Sequence, residues 1–509
     1  IGLLLLWNVY CERDHVTITR ATVSLDDSVT LTVNPTLLTE YESQTVKVQW
    51  SGVANPSSDD WIGVFSPVPS TFLLITPVKY QFCNASSEYE ATGSGAFSFN
   101  LLNMHAEYVF VLFRNGTQYP IVLAVSEQVT FQNLNEPLQG HLTLTSTLSE
   151  MKLSWAIGYE SISQYVEWGT RSGNYTNSEY ATLSTYTVAD MCGPPASTVG
   201  WRDPGYLATA LMVNLQPNQT YYYRYGSDQS GWSPEYTFIS PPKVAKDTGV
   251  RIIAFGDMGQ GQTDDTLEPS EQQPSLDTTS NIAKIIESSH VDFVLHVGDL
   301  SYANGYSAEW DQFMSQILPV ATRVAYMTSG GNHEIDYPNA TSYYNGTDSG
   351  GECGVPYNAR FTMPGVSVQE GVHWYSFNYG NVHVLMMDTE YNFQAGSAQY
   401  DFIENDLKNV NRQNTPWVIF CGHRPMYIDS DWFFGYNSDQ SVAELLREVI
   451  EPLLVKYNVN LGLWGHHHSY QRTCPVYNQT CSPESTEQPP VHVVIGMAGK
   501  DLSQNVLST

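Results

Sequence analysis

Positive charge is scarce in this sequence. Lys and Arg number 22 against 52 Asp and Glu, a formal net charge of −30, which argues against a nucleic-acid polymer or an anionic membrane as partner because such a surface repels both. An acidic, solvated exterior explains most of the imbalance, and a local cationic site would have to draw its charge from metal ions. Long apolar runs are also missing. The opening IGLLLLWNVY holds an apolar stretch of about eight residues, well short of the roughly 20 that a membrane-spanning helix needs. Cysteine is sparse, seven in 509 residues, with no zinc-ribbon spacing. Charged residues make up only 15%, whereas hydrophobic residues reach 42% and aromatic residues 13%, which excludes a disordered chain and leans toward β structure.

What is present points first to the secretory pathway. The opening run has the character of the tail of a signal-peptide core, over residues 1–15, the alternative being a first strand of the mature protein. Asn-X-Ser/Thr sequons occur at Asn84, Asn115, Asn174, Asn218, Asn339, Asn345 and Asn478, and together with that run they predict a secreted protein, or one of a vacuole- or lysosome-like compartment. An oxidising compartment would let cysteines pair. Cys474 and Cys481 bracket a short Pro/Asn turn in CPVYNQTC and are the best candidate pair, while Cys421 in WVIFCG reads as a buried free thiol.

The chain divides by pattern. Over residues 16–135, short β-type runs (VTITRATVSL, QTVKVQW, WIGVF, AEYVFVLF) alternate with Pro/Asn/Ser turns, predicting a β-sandwich. NEPLQG then reads as a linker, and residues 136–245 carry a second all-β module of fibronectin type III-like size, from HLTLTSTLSEMKLSWAIG to EYTFIS. From 246 to 509 helical periodicities such as TSNIAKIIESSH alternate with apolar strands, which predicts an α/β domain.

Nearly every strand of that domain ends in a polar, glycine-containing turn: GDMG with Asp257, GDLSY with Asp299 and Tyr302, GNHE with Asn332 and His333, CGHRPMY with His423, and GHHH with His466, His467 and His468. In α/β sheets, ligands bind beyond the carboxyl ends of the strands, so these turns should converge on one crevice. One Gly-Asp turn or one histidine alone is ordinary turn or structural chemistry. Their joint occurrence is the pattern of a metal site, with carboxylates and a phenolate favouring hard cations and imidazoles favouring Zn, Mn or Fe. Two ions sharing a carboxylate form the clamp used for displacement at phosphorus. A tyrosine of ordinary pKa about 10 ionises at working pH only beside a strong Lewis acid, so Tyr302 points to a trivalent ion such as Fe(III).

These five blocks resemble the metal blocks of the purple acid phosphatases, within the metallophosphoesterase superfamily, as do GWRDPGY, YANGYSAEWDQF and GGECGVPY. The likeness extends over roughly residues 140–500 and is strongest to large plant-type members with an extra N-terminal β domain. It implies a metallophosphoesterase catalytic domain of two mixed β-sheets flanked by helices, C-terminally truncated in this chain. It also implies Fe(III) on Asp257, Asp299, Tyr302 and His468, and a divalent Zn, Mn or Fe(II) on Asp299, Asn332, His423 and His466. His467 would face away, since alternate residues of an extended segment project to opposite sides.

The implied activity is acid hydrolysis of small phosphate monoesters by a metal-activated hydroxide. Asp299 would serve as the bridge, and His333 would either contact the phosphoryl group and protonate the leaving oxygen or merely support the metal shell. Trp432 and Phe433 stand where small plant members carry two histidines. They would make an aromatic substrate pocket or only pack their own loop. The alternatives are a phosphodiesterase or nucleotide pyrophosphatase with the same metals, and a secreted β-sandwich binding protein with a vestigial site. A homodimer is compatible with the family.

Overall fold

The computed structural model describes residues 16–160, 162–364, 373–482 and 489–506; the expected signal-peptide remnant, residues 1–15, lies outside them. The first unit packs a three-stranded sheet (Thr30–Asn34, Ser43–Ser51, Gly95–Leu102) on a five-stranded one built around Val109–Arg114 and Trp61–Phe65. Strand alternation sets the packing. In Ser43–Ser51 the side chains of Val46, Val48 and Trp50 are buried while Lys47, Gln49 and Ser51 are exposed, and the buried set meets Ile62, Val64, Phe110 and Leu112. The Trp61–Phe65 strand is buried on both faces because its other side holds a second cluster with Ile18, Tyr80 and Phe113.

The second unit is also a sandwich. Leu138–Thr143, Met151–Ile157, Tyr206–Met212 and Thr182–Ser184 form one sheet, and Tyr165–Gly169 and Thr220–Ser227 centre the other. NEPLQG is not a free linker: Leu138, Gln139 and Gly140 already belong to the strand Leu138–Thr143, which is buried along its whole length. The reason is that this strand packs against the helix Ser307–Ala321 and the strand Ala325–Ser329 of the catalytic unit, so one hydrophobic core runs through both units. Several polar groups carried into that seam are paired. Gln139 donates to Asp311 (2.9 Å), Arg202 donates to the other Asp311 oxygen (2.6 Å), and a His141 ring nitrogen lies 2.9 Å from the Arg360 carbonyl.

The apolar segments read as strands in the catalytic unit, from VRIIAFGD to VHVVIGMAG, are strands. Ile252–Phe255, Phe293–Val297 and Ala325–Ser329 form a sheet that is wholly parallel rather than mixed. The second sheet is mixed: Val382–Met386, Trp417–Gly422, Leu461–Trp464 and Val491–Ile495 run parallel, with antiparallel Tyr375–Tyr379 and Tyr470–Arg472 at its edges. Helices Pro274–Ser288, Ser307–Ala321, Ala398–Asn409 and Asp439–Val449 accompany these sheets, and none among the described residues is long and apolar enough to cross a membrane. The first sandwich touches this unit through the loop after the first strand. Lys79 pairs with Asp264 at 2.9 Å, and Tyr80 bridges to Leu267.

Two disulfides are formed among the described residues. Cys474–Cys481 closes the short turn, and Cys192–Cys353, a pairing no local signal announces, ties the second sandwich to the catalytic unit across 161 residues. Cys421 is a buried free thiol. All seven sequon asparagines are exposed.

Candidate metal centre

The five turns meet at one end of the two sheets. Their backbone is held in conformations most residues avoid: Asp257 (φ 61°), Asp299 (φ 51°), Tyr302 (φ 51°) and His466 (φ 67°) all lie in the left-handed region. That region costs a non-glycine residue on the order of 1 kcal/mol and marks a site whose geometry outranks local comfort. Glycines make room. A Cβ on Gly298 would lie 2.3 Å from the His423 ring, and one on Gly331 would lie 2.2 Å from an Asp299 carboxylate oxygen.

The side chains gather in two groups that share Asp299. In the first, the Tyr302 oxygen lies 3.3 Å from Asp257 Oδ1, 3.2 Å from Asp299 Oδ2 and 3.0 Å from His468 Nε2. A phenol has one proton to give, and three acceptors surround it. In the second, His423 Nε2 is 3.3 Å from Asp299 Oδ1 and 3.0 Å from Asn332 Oδ1, and His466 Nδ1 is 2.9 Å from the same Asn332 oxygen. The Asn332 amide nitrogen donates to Asp348 at 3.1 Å, which fixes its oxygen toward the two rings.

Tautomers sharpen the point. His423 Nδ1 faces the Val297 carbonyl at 2.9 Å, His466 Nε2 faces Asp439 at 3.3 Å, and His468 Nδ1 faces the Asp501 carbonyl at 2.6 Å. With those N–H groups spoken for, neutral rings would present lone pairs to acceptor oxygens, so without a cation the site needs added protons on its histidines. Histidine nitrogens and oxygens 2.9–3.4 Å apart match the edges of a coordination shell with bonds of roughly 2.0–2.2 Å. The residues therefore fit two cations. Among carboxylate, histidine and cysteine groups alone, Asp299, His423 and His466 already stand close enough to hold one.

The electrostatics agree. Burial, then Asp299 and Asp257, push the Tyr302 phenol well above its ordinary pKa, so a phenolate here requires a cation. Burial would lower His423, yet Asp299 and Asp257 beside it raise it to about 10. Asp299 stays ionised, well below the usual carboxylate range; burial opposes this, and His423 and His333 outweigh it.

His333 stands beside this centre. Its backbone N–H donates to Asp299 (3.0 Å), its Nδ1 meets the Asn304 side-chain oxygen at 2.8 Å, and its ring packs on Tyr302 at 4.4 Å. His467 turns to the opposite side, buried, with Nδ1 2.7 Å from the Ser469 hydroxyl. Trp432 and Phe433 are half-exposed, and the Trp432 indole donates to the Phe434 carbonyl of its own loop.

Sequence reading missed the supports. Asp348 orients Asn332, Asp439 orients His466, and buried Glu334 ties two turns together by accepting from the backbone N–H groups of Leu300 and Gly331. Only Glu334, inside GNHE, had a local signal.

A two-sheet α/β unit with a carboxylate-bridged pair of donor sets at its strand ends defines the metallophosphoesterase class. The comparisons agree. Residues 250–470 match the family described as calcineurin-like phosphoesterase, residues 137–240 the purple acid phosphatase N-terminal domain, and residues 31–133 the Fn3-like domain from purple acid phosphatase. The fibronectin-type description thus falls on the first sandwich. The chain is 38% identical over 523 residues to "Probable inactive purple acid phosphatase 24" of Arabidopsis thaliana, covering 96% of this chain and 83% of that protein. It is 37% identical over 280 residues to the "Nucleotide pyrophosphatase/phosphodiesterase" of Hordeum vulgare, covering 53% and 74%. The purple acid phosphatase PPD1 of yellow lupin (Lupinus luteus) superposes with a TM-score of 0.87 at 37% identity, over 95% of this chain and 89% of that one. The chain belongs to the purple acid phosphatase family.

Proposed function

We propose that this protein is an acid phosphatase acting on small phosphate monoesters. The observation that carries the reading is the complete pair of donor sets sharing Asp299. Asp257, Asp299, Tyr302 and His468 would hold Fe(III), and Asp299, Asn332, His423 and His466 would hold Zn, Mn or Fe(II). When bound, the two cations supply Lewis acidity toward a phosphoryl oxygen and lower the pKa of water.

The chain's own contribution is positional. Asp348 and Asp439 fix the donors, and Asn304 occupies Nδ1 of His333 so that Nε2 is left to hold a proton at the leaving oxygen. Burial lowers the His333 pKa, so its protonated form grows only as pH falls, which fits an acid optimum. The exposed sequons and two disulfides support the secretory or vacuole-like location.

The test is turnover of 4-nitrophenyl phosphate by metal-loaded protein, with Fe, Zn and Mn content and the visible spectrum recorded on the same sample. Two metals per chain, a charge-transfer band that Tyr302→Phe removes, and turnover rising toward acid pH are expected. A preference for bis(4-nitrophenyl) phosphate would favour the diesterase reading that the barley relative's name suggests. Loaded protein without turnover would favour the binding-protein reading, in line with the "probable inactive" in the names of Arabidopsis relatives.

A further inference from the structure

Beside the metal centre opens a cleft of about 540 Å³, within the range of roughly 300–1,000 Å³ that houses organic ligands rather than a bare phosphate. Its lining includes Asp348, which accepts from the donor Asn332, His333, whose backbone N–H donates to Asp299, and Asn304, which meets the His333 ring. One wall comes from another domain: Pro194, Pro195, Thr198 and Val199 belong to the second sandwich. The wall is fixed, not draped. The Cys192–Cys353 disulfide pins its base, Cys192 N–H donates to the Gly351 carbonyl (2.9 Å), Ala196 N–H to Gly350 (3.1 Å), and Ser307 N–H to Gly200 (2.9 Å). Among the described residues no Lys or Arg lines the cleft, and its one carboxylate is Asp348. Lys500 is not part of that lining; its ammonium lies over the face of Tyr302, 5.3 Å from the ring centre.

Resting on the phosphatase reading, we infer that this cleft receives the organic part of the ester and selects an uncharged, partly apolar group of aryl type over one bearing further negative charge. The proline rings, Val199 and the nearby Tyr306 ring offer flat apolar contact to such a group, while a second phosphate or a carboxylate there would face Asp348 with no lining Lys or Arg among the described residues to meet it. The second sandwich is thereby a specificity element of the site, and Trp432 and Phe433 are not needed for one.

The experiment is calorimetric binding of three non-hydrolysable probes to metal-loaded full-length chain: methylphosphonate, benzylphosphonate and 4-carboxybenzylphosphonate. Benzylphosphonate should bind about tenfold tighter than methylphosphonate, and the added carboxylate should abolish most of that gain. Val199→Ala should weaken benzylphosphonate several-fold and leave methylphosphonate unchanged. Thr198→Lys, at an exposed position, should recover the carboxylated probe. Equal affinities across the three probes, or a Val199→Ala loss shared by methylphosphonate, would overturn the cleft assignment while leaving the phosphatase reading intact. Loaded protein that binds no methylphosphonate would overturn both.

Discussion

The first sandwich and the strand ends of the catalytic unit are built on opposite terms. In the sandwich, alternation delivers Val46, Val48 and Trp50 to a core shared with Ile62, Phe99 and Phe110, so burial of apolar surface and strand geometry pull the same way. At the strand ends, Asp257, Asp299, Tyr302 and His466 sit in left-handed backbone, and histidine nitrogens and oxygens crowd at 2.9–3.4 Å. That region stores cost in the bare protein, where the carboxylates hold a proton on buried His423, and bound cations would take that proton's place. The difference shows which region is made for stability and which spends it.

The largest effect that would break this contrast is loss of the shared carboxylate. Asp299→Ala should abolish turnover and remove both metals from elemental analysis; retention of one metal would mean that the two groups are independent. Next, Phe99→Ala, in the sandwich core, should cost about 3–5 kcal/mol in unfolding free energy with turnover unchanged in the folded protein. A coupled fall in turnover would show the sandwich to be more than a scaffold. Asp348→Asn or Asp439→Asn should then cost about 10–100-fold in metal affinity or activity, as expected for groups that orient ligands, read by metal titration.

Smaller again is the pH dependence of stability. Glu42 and Glu268, at seams between units, and Glu352, buried within the catalytic unit, are pushed by burial from an ordinary 4.5 to about 7, about 8 and about 7. Each binds its proton more tightly folded than unfolded, so its contribution is fully present below about pH 4.5 and is lost as pH rises through 7 to 8. The melting temperature should fall from pH 5 to pH 8 at constant ionic strength. A flat or rising profile would mean that these carboxyls are not buried. Least affected should be His467→Ala, whose side chain faces away from the donors; activity lost as fully as in Asp299→Ala would end the two-sided reading of the triplet.

Much of this was legible because it is local. Strand period, the glycine turns and the His triplet each occupy a few consecutive residues, so the five ligand blocks and seven of the nine strands of the two catalytic sheets could be read directly, while the edge strands Tyr375–Tyr379 and Tyr470–Arg472 were missed. What escaped depends on chain segments meeting. Cys192 and Cys353 are 161 residues apart; Asp439 reads as an ordinary first-turn helix acid after Ser438, and Asp348 as a loop residue among Asn, Gly and Ser. NEPLQG looks like a linker because Pro and Gly are turn residues, yet the seam with the helix Ser307–Ala321 buries it.

That seam bears on how such a gene can be recombined. A chain restarted after residue 245 would leave Asp311 buried without the amide of Gln139 or the guanidinium of Arg202 and would expose the apolar faces that Leu142 and Leu144 cover. The second sandwich and the catalytic unit are therefore inherited as one cassette. The first sandwich is fastened too, by the Lys79–Asp264 pair, by the Tyr41 hydroxyl donating to the Pro137 carbonyl (2.8 Å) and by the Asn133 amide donating to the Ser230 carbonyl (2.7 Å), so its exchange would have to rebuild polar contacts on both neighbours.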